Sequence, residues 1–223
     1  MASLGILGAG RVGTSLARAA LKAGYSVNIA ASGAAESISL ITEIMTPGAT
    51  AMMAADVIAS ADLVVLAIPL HKFRSLDPDS LRGKVVVDAM NYWAPIDGTL
   101  DDFESTERTS SEIVAEYLAG ARIVKSFNHI GYHELEEDSL PAGDPHRRAI
   151  AVASDDAAAA ALVMELIDHL GYDAVDAGPL ASGAAFEPGT AIFGSAHTAS
   201  DISKELGQDS AVHVGPLEFE RSA

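Results

Sequence analysis

Nearly continuous runs of apolar residues recur along the chain and are separated by longer segments with helical patterning. Such runs are typical of strands buried on both faces of a parallel sheet, because strands with one solvated face alternate instead. Strands that alternate with helices predict an α/β fold with a doubly wound, mostly parallel sheet. We predict strands at Leu4–Leu7, Val27–Ala31, Ala49–Met53, Asp62–Ile68, Lys84–Ala89, Arg122–Phe127, Arg148–Ala153 and Tyr172–Ala177.

Three of the helical segments have recognisable starts. Val12–Ala23 is rich in Ala and Leu and follows a glycine-rich stretch. A capping-box pattern, Thr109–Glu112, predicts a helix at Ser111–Leu118. We expect Asp155 to be the N-cap of a third helix, Ala157–Leu170.

The glycine-rich stretch is the hexamer Gly8-Ala9-Gly10-Arg11-Val12-Gly13, between the first strand and the first helix. In a dinucleotide-binding loop the first glycine permits a tight turn, the second lets a pyrophosphate approach, and the third lets the helix pack on the sheet. The helix start then offers free N–H groups to the phosphates. The hexamer alone is weak, but strand, hexamer, helix and strand within about 30 residues favour a dinucleotide site over a ligand-free turn.

We therefore predict a Rossmann-like dinucleotide-binding domain at residues 1–148. A small carboxy-terminal α/β extension packed on it is expected at 149–194, and a tail or oligomer arm at 195–223. The chain leaves no room for the large helical domain that completes some dehydrogenases. We expect the second substrate to bind on the sheet domain, on its extension or on a partner subunit.

Composition excludes several classes of function. Fourteen Lys and Arg against 31 Asp and Glu give a net charge of −17, which repels nucleic acid and anionic membranes. Cysteine is absent, which excludes disulfides, thiolate metal sites and a Cys nucleophile. No apolar stretch reaches the roughly 20 residues that span a bilayer, and the amino terminus lacks signal-peptide features. We expect a cytoplasmic protein.

Ligands of open parallel sheets bind at the carboxyl ends of the strands, which selects further candidates. After the second strand, Ala31-Ser32-Gly33 places a serine where NAD-specific enzymes carry Asp or Glu for the ribose 2′-hydroxyl. Without that carboxylate, Ser32 and Arg11 could bind the 2′-phosphate of NADP, although no Arg follows Ser32 as an NADP site would favour. The alternative is that Ser32 is only a turn residue.

After the fourth strand, Ala67-Ile68-Pro69-Leu70-His71 turns the chain away from the sheet and leaves space for a nicotinamide. His71 could bind a ribose or phosphate, carry a proton, or be a solvated loop residue. Asn91 and Asn128 follow the fifth and sixth strands, where they could bind a carboxamide or ribose hydroxyl or cap local turns. The predicted cofactor site thus comprises Gly8, Ala9, Gly10, Arg11, Val12, Gly13, Ala31, Ser32, Gly33, Ala67, Ile68, Pro69, His71, Asn91 and Asn128.

Two other chemistries find little support. His129 and His133 have helical i, i+4 spacing, but Gly131 interrupts them and no third ligand is evident, so we predict a polar turn and no metal. There is no G-x-S-x-G string, so acyl transfer by a serine nucleophile is not predicted.

The chain resembles the deazaflavin (coenzyme F420)-dependent NADP oxidoreductases, a family of short dinucleotide-binding proteins, over about residues 3–194. The motifs that carry the resemblance are the glycine hexamer, Ala67–His71, Val124–Asn128, Ser154–Asp156 and, most specifically, Asp173-Ala174-Val175-Asp176-Ala177-Gly178-Pro179-Leu180. The resemblance implies that NADP(H) exchanges a hydride between C4 of its nicotinamide and a deazaflavin or flavin ring, in a homodimer.

The resemblance also implies roles for particular residues. Because the two cofactors carry the chemistry, no catalytic acid, base or nucleophile is expected. The glycine hexamer would hold the pyrophosphate, Ser32 the 2′-phosphate, and Pro69 and His71 the nicotinamide, while Asp176–Leu180 would border the second substrate. The hexamer departs from the Gly-Gly-Thr-Gly of deazaflavin-specific members, and Gly33 stands where they carry Arg, so the acceptor could be another compound.

Two further functions stay open. One is a dinucleotide-binding sensor or partner module without catalysis. The other is a dehydrogenase of a small carbonyl compound, which would need His71 or His129 as its acid.

Overall fold

One eight-stranded sheet organises the molecule. The computed structural model describes residues 2–104 and 107–208. The strand order is β3-β2-β1-β4-β5-β6-β7-β8, and every neighbouring pair is parallel except β6 and β7. The strands are β1 (Ser3–Leu7), β2 (Ser26–Ala30), β3 (Thr50–Ala51), β4 (Leu63–Leu66), β5 (Val85–Asp88), β6 (Arg122–Lys125), β7 (Ala149–Ala153) and β8 (Asp173–Gly178). The predicted doubly wound, mostly parallel α/β sheet is confirmed.

Ten α-helices connect or flank the strands in the described ranges. Two 3₁₀ helices, at Leu70–Ser75 and Leu180–Phe186, follow β4 and β8. The α-helices are α1 (Arg11–Lys22), α2 (Glu36–Met45), α3 (Ala54–Ser60), α4 (Pro78–Leu81), α5 (Ala94–Asp97), α6 (Asp101–Glu104), α7 (Ser110–Tyr117), α8 (Glu134–Glu137), α9 (Ala157–His169) and α10 (Ala199–Glu205).

The sheet carries a core on each face, because successive side chains of a strand point to opposite sides. Val65 and Val87 lie in one buried cluster with α1 and α9, and Val64 and Val86 lie in the other with α3 and α7. All four residues of β4 and of β5 are buried. This two-sided burial explains the continuous apolar runs, since each buried Val or Leu side chain contributes about 1.5–3 kcal/mol to stability.

Of the two predicted helix caps, that of α7 is confirmed and that of α9 is wrong by one residue. Thr109 and Glu112 form the reciprocal capping box of α7. The expectation that Asp155 caps α9 is wrong, because the Oδ1 of Asp156 accepts from the N–H of Ala159 at 2.9 Å. Asp155 instead accepts from the N–H of Leu180 at 3.0 Å.

The carboxy-terminal segments join the same sheet. β7 meets β6 in an antiparallel pair at Lys125 and Ala153, and β8 runs parallel to β7. In the segment expected as a tail, α10 contacts β8 and buries Ile202. Residues 209–223 lie outside the described residues. Within the described ranges, no helix is long and apolar enough to cross a membrane.

Candidate functional site

The carboxyl ends of the central strands meet at one edge of the sheet. A row of backbone hydrogen bonds crosses five strands there and continues into the residues that follow β1, β4, β5 and β6. The edge therefore gathers the residues that follow four strands, as a doubly wound sheet requires at its ligand-binding side. The bonds are Gly8 N to Ala30 O (2.8 Å), Ala67 N to Leu7 O (2.8 Å), Ala89 N to Leu66 O (3.2 Å) and Ser126 N to Asp88 O (3.3 Å).

The three glycines of the hexamer differ in the space around the position that a Cβ would take. Gly8 has a φ of +126°, and a Cβ there would lie 2.3 Å from the carbonyl oxygen of Ala67. A Cβ at Gly13 would lie 1.9 Å from the carbonyl oxygen of Gly8. A Cβ at Gly10 would meet no protein atom within 4 Å. The fold therefore requires Gly8 and Gly13, whereas the space at Gly10 is open to a ligand.

Gly10 is also the N-cap of α1, and no side chain caps that helix start. The first turn of a helix has N–H groups without intrahelical partners and a partial positive charge, which together bind anions. No acidic residue lies in the first turn of α1 to oppose an anion. The geometry suits a phosphate group that replaces a capping side chain.

Arg11 is held at the glycine loop by a residue that sequence analysis missed. Its guanidinium lies 5.6 Å from the ring centre of Tyr132 and donates to the Tyr132 hydroxyl at 3.4 Å. The hydroxyl of Ser15 donates to the backbone carbonyl of Tyr132 at 2.5 Å. Because Tyr132 is 121 residues from Arg11 in the chain, no local pattern predicts this contact.

The end of β2 is open to solvent. Ser32 and Gly33 are both exposed, and Gly33 has a φ of +109°, which side-chain-bearing residues rarely adopt. No positively charged side chain lies between Ala31 and Met45. Ser32 is thus free to contact a ribose substituent, but the cation that would neutralise a 2′-phosphate must come from elsewhere in the molecule.

His71 lies after β4, in the 3₁₀ helix Leu70–Ser75, and is anchored by Asp97. The Nδ1 of His71 is 2.8 Å from Oδ1 of Asp97, whose side chain is only 3% exposed. An ionised carboxylate only accepts, so we assign the Nδ1 proton to the hydrogen bond with Asp97. Nε2 is then the ring nitrogen that can bind a ligand, and one-third of the His71 side chain is exposed.

The amides of Asn91 and Asn128 bond to each other. Asn91 Nδ2 donates to the carbonyl of Asn128 at 2.7 Å, and Asn128 Nδ2 donates to Asn91 Oδ1 at 3.1 Å and to the carbonyl of Phe186 at 2.9 Å. Both donors of Asn128 are therefore used within the protein. These contacts join the segments after β5 and β6, and contact with a cofactor stays a prediction for both residues.

His129 is buried and neutral. Its Nε2 accepts from the N–H of Ala151 at 3.0 Å, and its Nδ1 lies 3.2 Å from Asn128 Oδ1. Burial, and then the nearby charges of Lys125 and Arg148, lower the pKa of His129 to about 3. Both ring nitrogens are engaged, so His129 is not available as a proton donor to a substrate.

Phe127, which precedes Asn128 and His129, has an uncommon backbone conformation. Phe127 has a φ of +62° although it carries a large side chain, and it is 1% exposed. A non-glycine residue in this region costs of order 1 kcal/mol or more and persists only where packing enforces it. In Phe127 the core packing supplies that constraint, and the turn begins directly at the carboxyl end of β6.

No metal site accompanies these residues: in residues 2–104 and 107–208, no group of three His, Asp or Glu side chains could hold an ion. Two surface pockets, of about 300 and 200 Å³, are lined by other residues, such as Lys22 and His169 in one and Arg122 and Asp156 in the other. The candidate site is an open edge of the sheet.

Comparison with known proteins agrees with this geometry. The family model described as "NADP oxidoreductase coenzyme F420-dependent" matches residues 3–92, which include the glycine hexamer and the ends of β2 and β4. A crystallised hypothetical protein from Sinorhizobium meliloti is 30% identical, with 89% of this chain and 94% of that chain covered and a TM-score of 0.72. Residues 3–92 of the chain belong to the coenzyme F420-dependent NADP oxidoreductase family.

Other solved structures extend this finding. A protein from Arthrobacter sp. FB24 named "putative F420 dependent NADP-reductase" is 26% identical over 80% of this chain and 86% of its own, with a TM-score of 0.67. The 3-hydroxyisobutyrate dehydrogenase of Mycobacterium tuberculosis, 14% identical over 83% of this chain and 57% of its own with a TM-score of 0.59, shares the fold alone. No curated protein sequence matches this chain.

The string 173–180 lies far from the glycine loop, because β8 is at the edge of the sheet and four strands separate it from β1. The backbone N–H of its last residue, Leu180, donates to Asp155, and the Leu180 side chain lies in the same buried cluster as Ile123. The following 3₁₀ helix ends at Phe186, whose ring centre is 5.0 Å from that of His129. The N–H of Gly194 donates to the carbonyl of His129 at 2.9 Å. The chain after this string therefore reaches the carboxyl end of β6, where a Cβ at Gly183 would lie 3.1 Å from Cγ of Lys125.

A buried ion pair underlies the same edge. Lys125 and Asp88 are both fully buried, with Nζ 3.5 Å from Oδ2, and Nζ donates to the carbonyl of Met90 at 2.6 Å. Asp88 also accepts from the hydroxyl of Ser111 at 2.6 Å and from the N–H of Met90 at 3.0 Å. The pair joins the ends of β5 and β6 to α7 beneath the candidate site.

Proposed function

We propose that the chain binds NADP(H) at the glycine loop and transfers a hydride between C4 of the nicotinamide and the ring of a deazaflavin, such as coenzyme F420, or of a flavin. The observation that carries the proposal is the open space at Gly10, between two glycines that the fold itself requires. A pyrophosphate at this position would accept hydrogen bonds from the start of α1. Membership of the NADP-dependent family supports the choice of cofactor.

In this reaction the hydride carries two electrons and one hydrogen from NADPH to the acceptor ring. NADP⁺ is left, and the reduced ring takes one proton from solvent at a ring nitrogen. The cofactor and acceptor supply this chemistry, and the protein supplies binding and orientation. We assign the pyrophosphate to Gly8–Gly13, the 2′-phosphate to Ser32 with Arg11, and the nicotinamide to the segment Ala67–His71.

Anaerobic turnover tests the proposal. NADPH is mixed with the protein and with F420, 5-deazariboflavin, FMN or FAD, and the absorbance of the reduced nicotinamide is followed. We expect a protein-dependent decrease with at least one acceptor, and its loss in Gly10→Val. Tight NADPH binding by calorimetry without turnover of any acceptor would contradict hydride transfer and favour a redox sensor.

We also propose that the protein acts as a homodimer in the cytoplasm and has neither a nucleic-acid nor a membrane partner. The net charge of −17 supports the exclusion of polyanionic partners, because like charges repel. Light scattering on the purified chain tests the dimer: a mass of 23.0 kDa at micromolar concentration would be that of a monomer.

A further inference from the structure

The most informative cluster outside the glycine loop is centred on the carboxylate of Asp97. Its Oδ1 accepts from Nδ1 of His71 at 2.8 Å, and its Oδ2 accepts from the backbone N–H of Trp93 at 2.9 Å. The backbone N–H of His71 lies 3.4 Å from the same Oδ1. A single carboxylate thus fixes the residues that follow β4 to those that follow β5.

The two residues that Asp97 holds are themselves accessible. The Trp93 residue is 51% exposed, and the His71 side chain is 34% exposed, while the carboxylate between them is 3% exposed. Within the described part of the chain, Trp93 is paired with no other aromatic ring. An exposed tryptophan on a buried hydrogen-bonded support has the properties of a binding surface, because a flat apolar ring in water gains free energy when another ring covers it.

We propose that Trp93 and His71 form the subsite for the electron acceptor, with Asp97 as its positioning residue. The indole of Trp93 offers a face to a flat conjugated ring system, and Nε2 of His71 offers a hydrogen bond to the polar edge of that ring. This inference rests on the proposed function, which places the nicotinamide at Ala67–His71, the segment that contains His71.

The chemistry of the pair selects a class of acceptor. With its Nδ1 proton committed to Asp97, the His71 ring accepts at Nε2 when neutral and donates there when protonated. A ring that carries both carbonyl oxygens and an N–H on one edge satisfies either state. Fused flavin and deazaflavin rings have such an edge, whereas small aliphatic carbonyl substrates have no flat surface to cover an indole.

Trp93 is the single tryptophan of the chain, so its fluorescence reports on this position alone. The protein is first saturated with NADP⁺ and then titrated with 5-deazariboflavin or FMN. We expect saturable quenching of Trp93 emission. We further expect that Trp93→Ala weakens acceptor binding about 5- to 150-fold, the range of aromatic stacking on a base, and that Trp93→Phe retains most of the affinity.

Asp97→Asn tests the positioning role. The amide can hold both residues only if its Nδ2 donates to Nδ1 of His71, which moves the imidazole proton to Nε2 and removes the acceptor that His71 offers there. We expect the KM for the acceptor to rise about tenfold while calorimetric NADPH affinity stays unchanged. Asp102→Asn is the matched control, because Asp102 pairs with Arg74 of the same 3₁₀ helix but is half exposed.

The outcomes separate the two proposals. Failure of the wild type to bind NADPH would contradict the proposed function. Normal NADPH binding and turnover, together with unchanged acceptor KM in both Trp93→Ala and Asp97→Asn, would overturn the subsite alone. An equal loss of NADPH and acceptor affinity in Asp97→Asn would also overturn it, since the carboxylate would then support the site as a whole.

Discussion

The carbonyl oxygen of Gly8 occupies the position that a side chain of Gly13 would need, with only 1.9 Å between that oxygen and the Cβ position. The loop and the first turn of α1 are therefore packed against each other without space for a methyl group. Gly10, between them, has an extended backbone with φ −83° and ψ −171°, which any residue can adopt. Within one hexamer, Gly8 and Gly13 are therefore needed for the fold, whereas Gly10 leaves space for a ligand.

Gly10→Val should abolish dinucleotide binding and leave the fold intact. A Cβ at this position meets no protein atom within 4 Å, and the valine fills the space where a pyrophosphate would approach. We expect NADPH affinity to fall at least about 100-fold by calorimetry and urea stability to change by less than about 1 kcal/mol. Gly13→Ala is the contrasting variant and should lose about 2–3 kcal/mol of stability through overpacking. Unchanged NADPH affinity in Gly10→Val would refute the loop assignment.

Cofactor preference should respond to a cation at the end of β2. Gly33→Arg is unsuitable for this test because its φ of +109° strains any side-chain-bearing residue. Ala34 is exposed and lacks a positive φ, so Ala34→Arg places the guanidinium without that strain. We expect the ratio of NADPH to NADH affinity to rise about 10- to 100-fold, as for a charged hydrogen bond to phosphate. Ala34→Gln controls for side-chain size, and an unchanged ratio in Ala34→Arg would show that this strand end does not face the ribose.

Stability should fall as the pH drops below about 6.5 because of His129. Its pKa is lowered to about 3 in the folded protein, so between this pKa and about pH 6.5 the unfolded chain binds a proton at His129 and the folded chain does not. The contribution of neutral His129 to the free energy of unfolding is fully present above the pKa of the unfolded chain. It declines by about 1.4 kcal/mol per pH unit as the pH falls towards 3. We expect His129→Gln to show a shallower decline in urea unfolding between pH 7 and about pH 5. Equal slopes in the wild type and in His129→Gln would contradict the assignment.

Lys125→Met should destabilise the protein by about 3–5 kcal/mol, because it leaves the Asp88 carboxylate buried without a cation. Chemical unfolding measures the difference. Arg82→Met is the comparison, since Arg82 and Asp79 form an exposed pair that contributes less than about 1 kcal/mol. A loss below 1 kcal/mol in Lys125→Met would mean that Asp88 is satisfied by Ser111 and Met90 alone.

Local patterns predicted much of the fold, including the position of the glycine hexamer at the junction of β1 and α1. The strands, the capping box of Thr109 and the hexamer depend on residues that are neighbours in the chain, so spacing alone reveals them. The direction of β7 has no such signal, because a buried strand has the same apolar run in either direction. The choice between Asp155 and Asp156 as cap depended on Arg122, which holds Asp156 with hydrogen bonds of 2.6 and 2.9 Å.

Other contacts at the candidate site join residues that are distant in the chain. Tyr132 at Arg11 and Asp97 at His71 are separated in sequence by 121 and 26 residues, and neither belongs to a recognisable motif. The histidines show the same limit. His71 and His129 are equivalent candidates in the sequence, but burial removes His129 from proton exchange while Asp97 presents His71 at the surface.

Among the described residues, Arg11 is the cation that lies at the glycine loop without a carboxylate partner, and this affects how ionic strength should act on binding. The chain carries a formal net charge of −17, and the proposed phosphate site consists of backbone N–H groups and Arg11. At about 0.15 M salt, fields are screened beyond about 8 Å, which weakens the distant repulsion more than the short hydrogen bonds. Added salt should therefore accelerate dinucleotide association, the reverse of its effect on proteins that capture phosphates with exposed lysines.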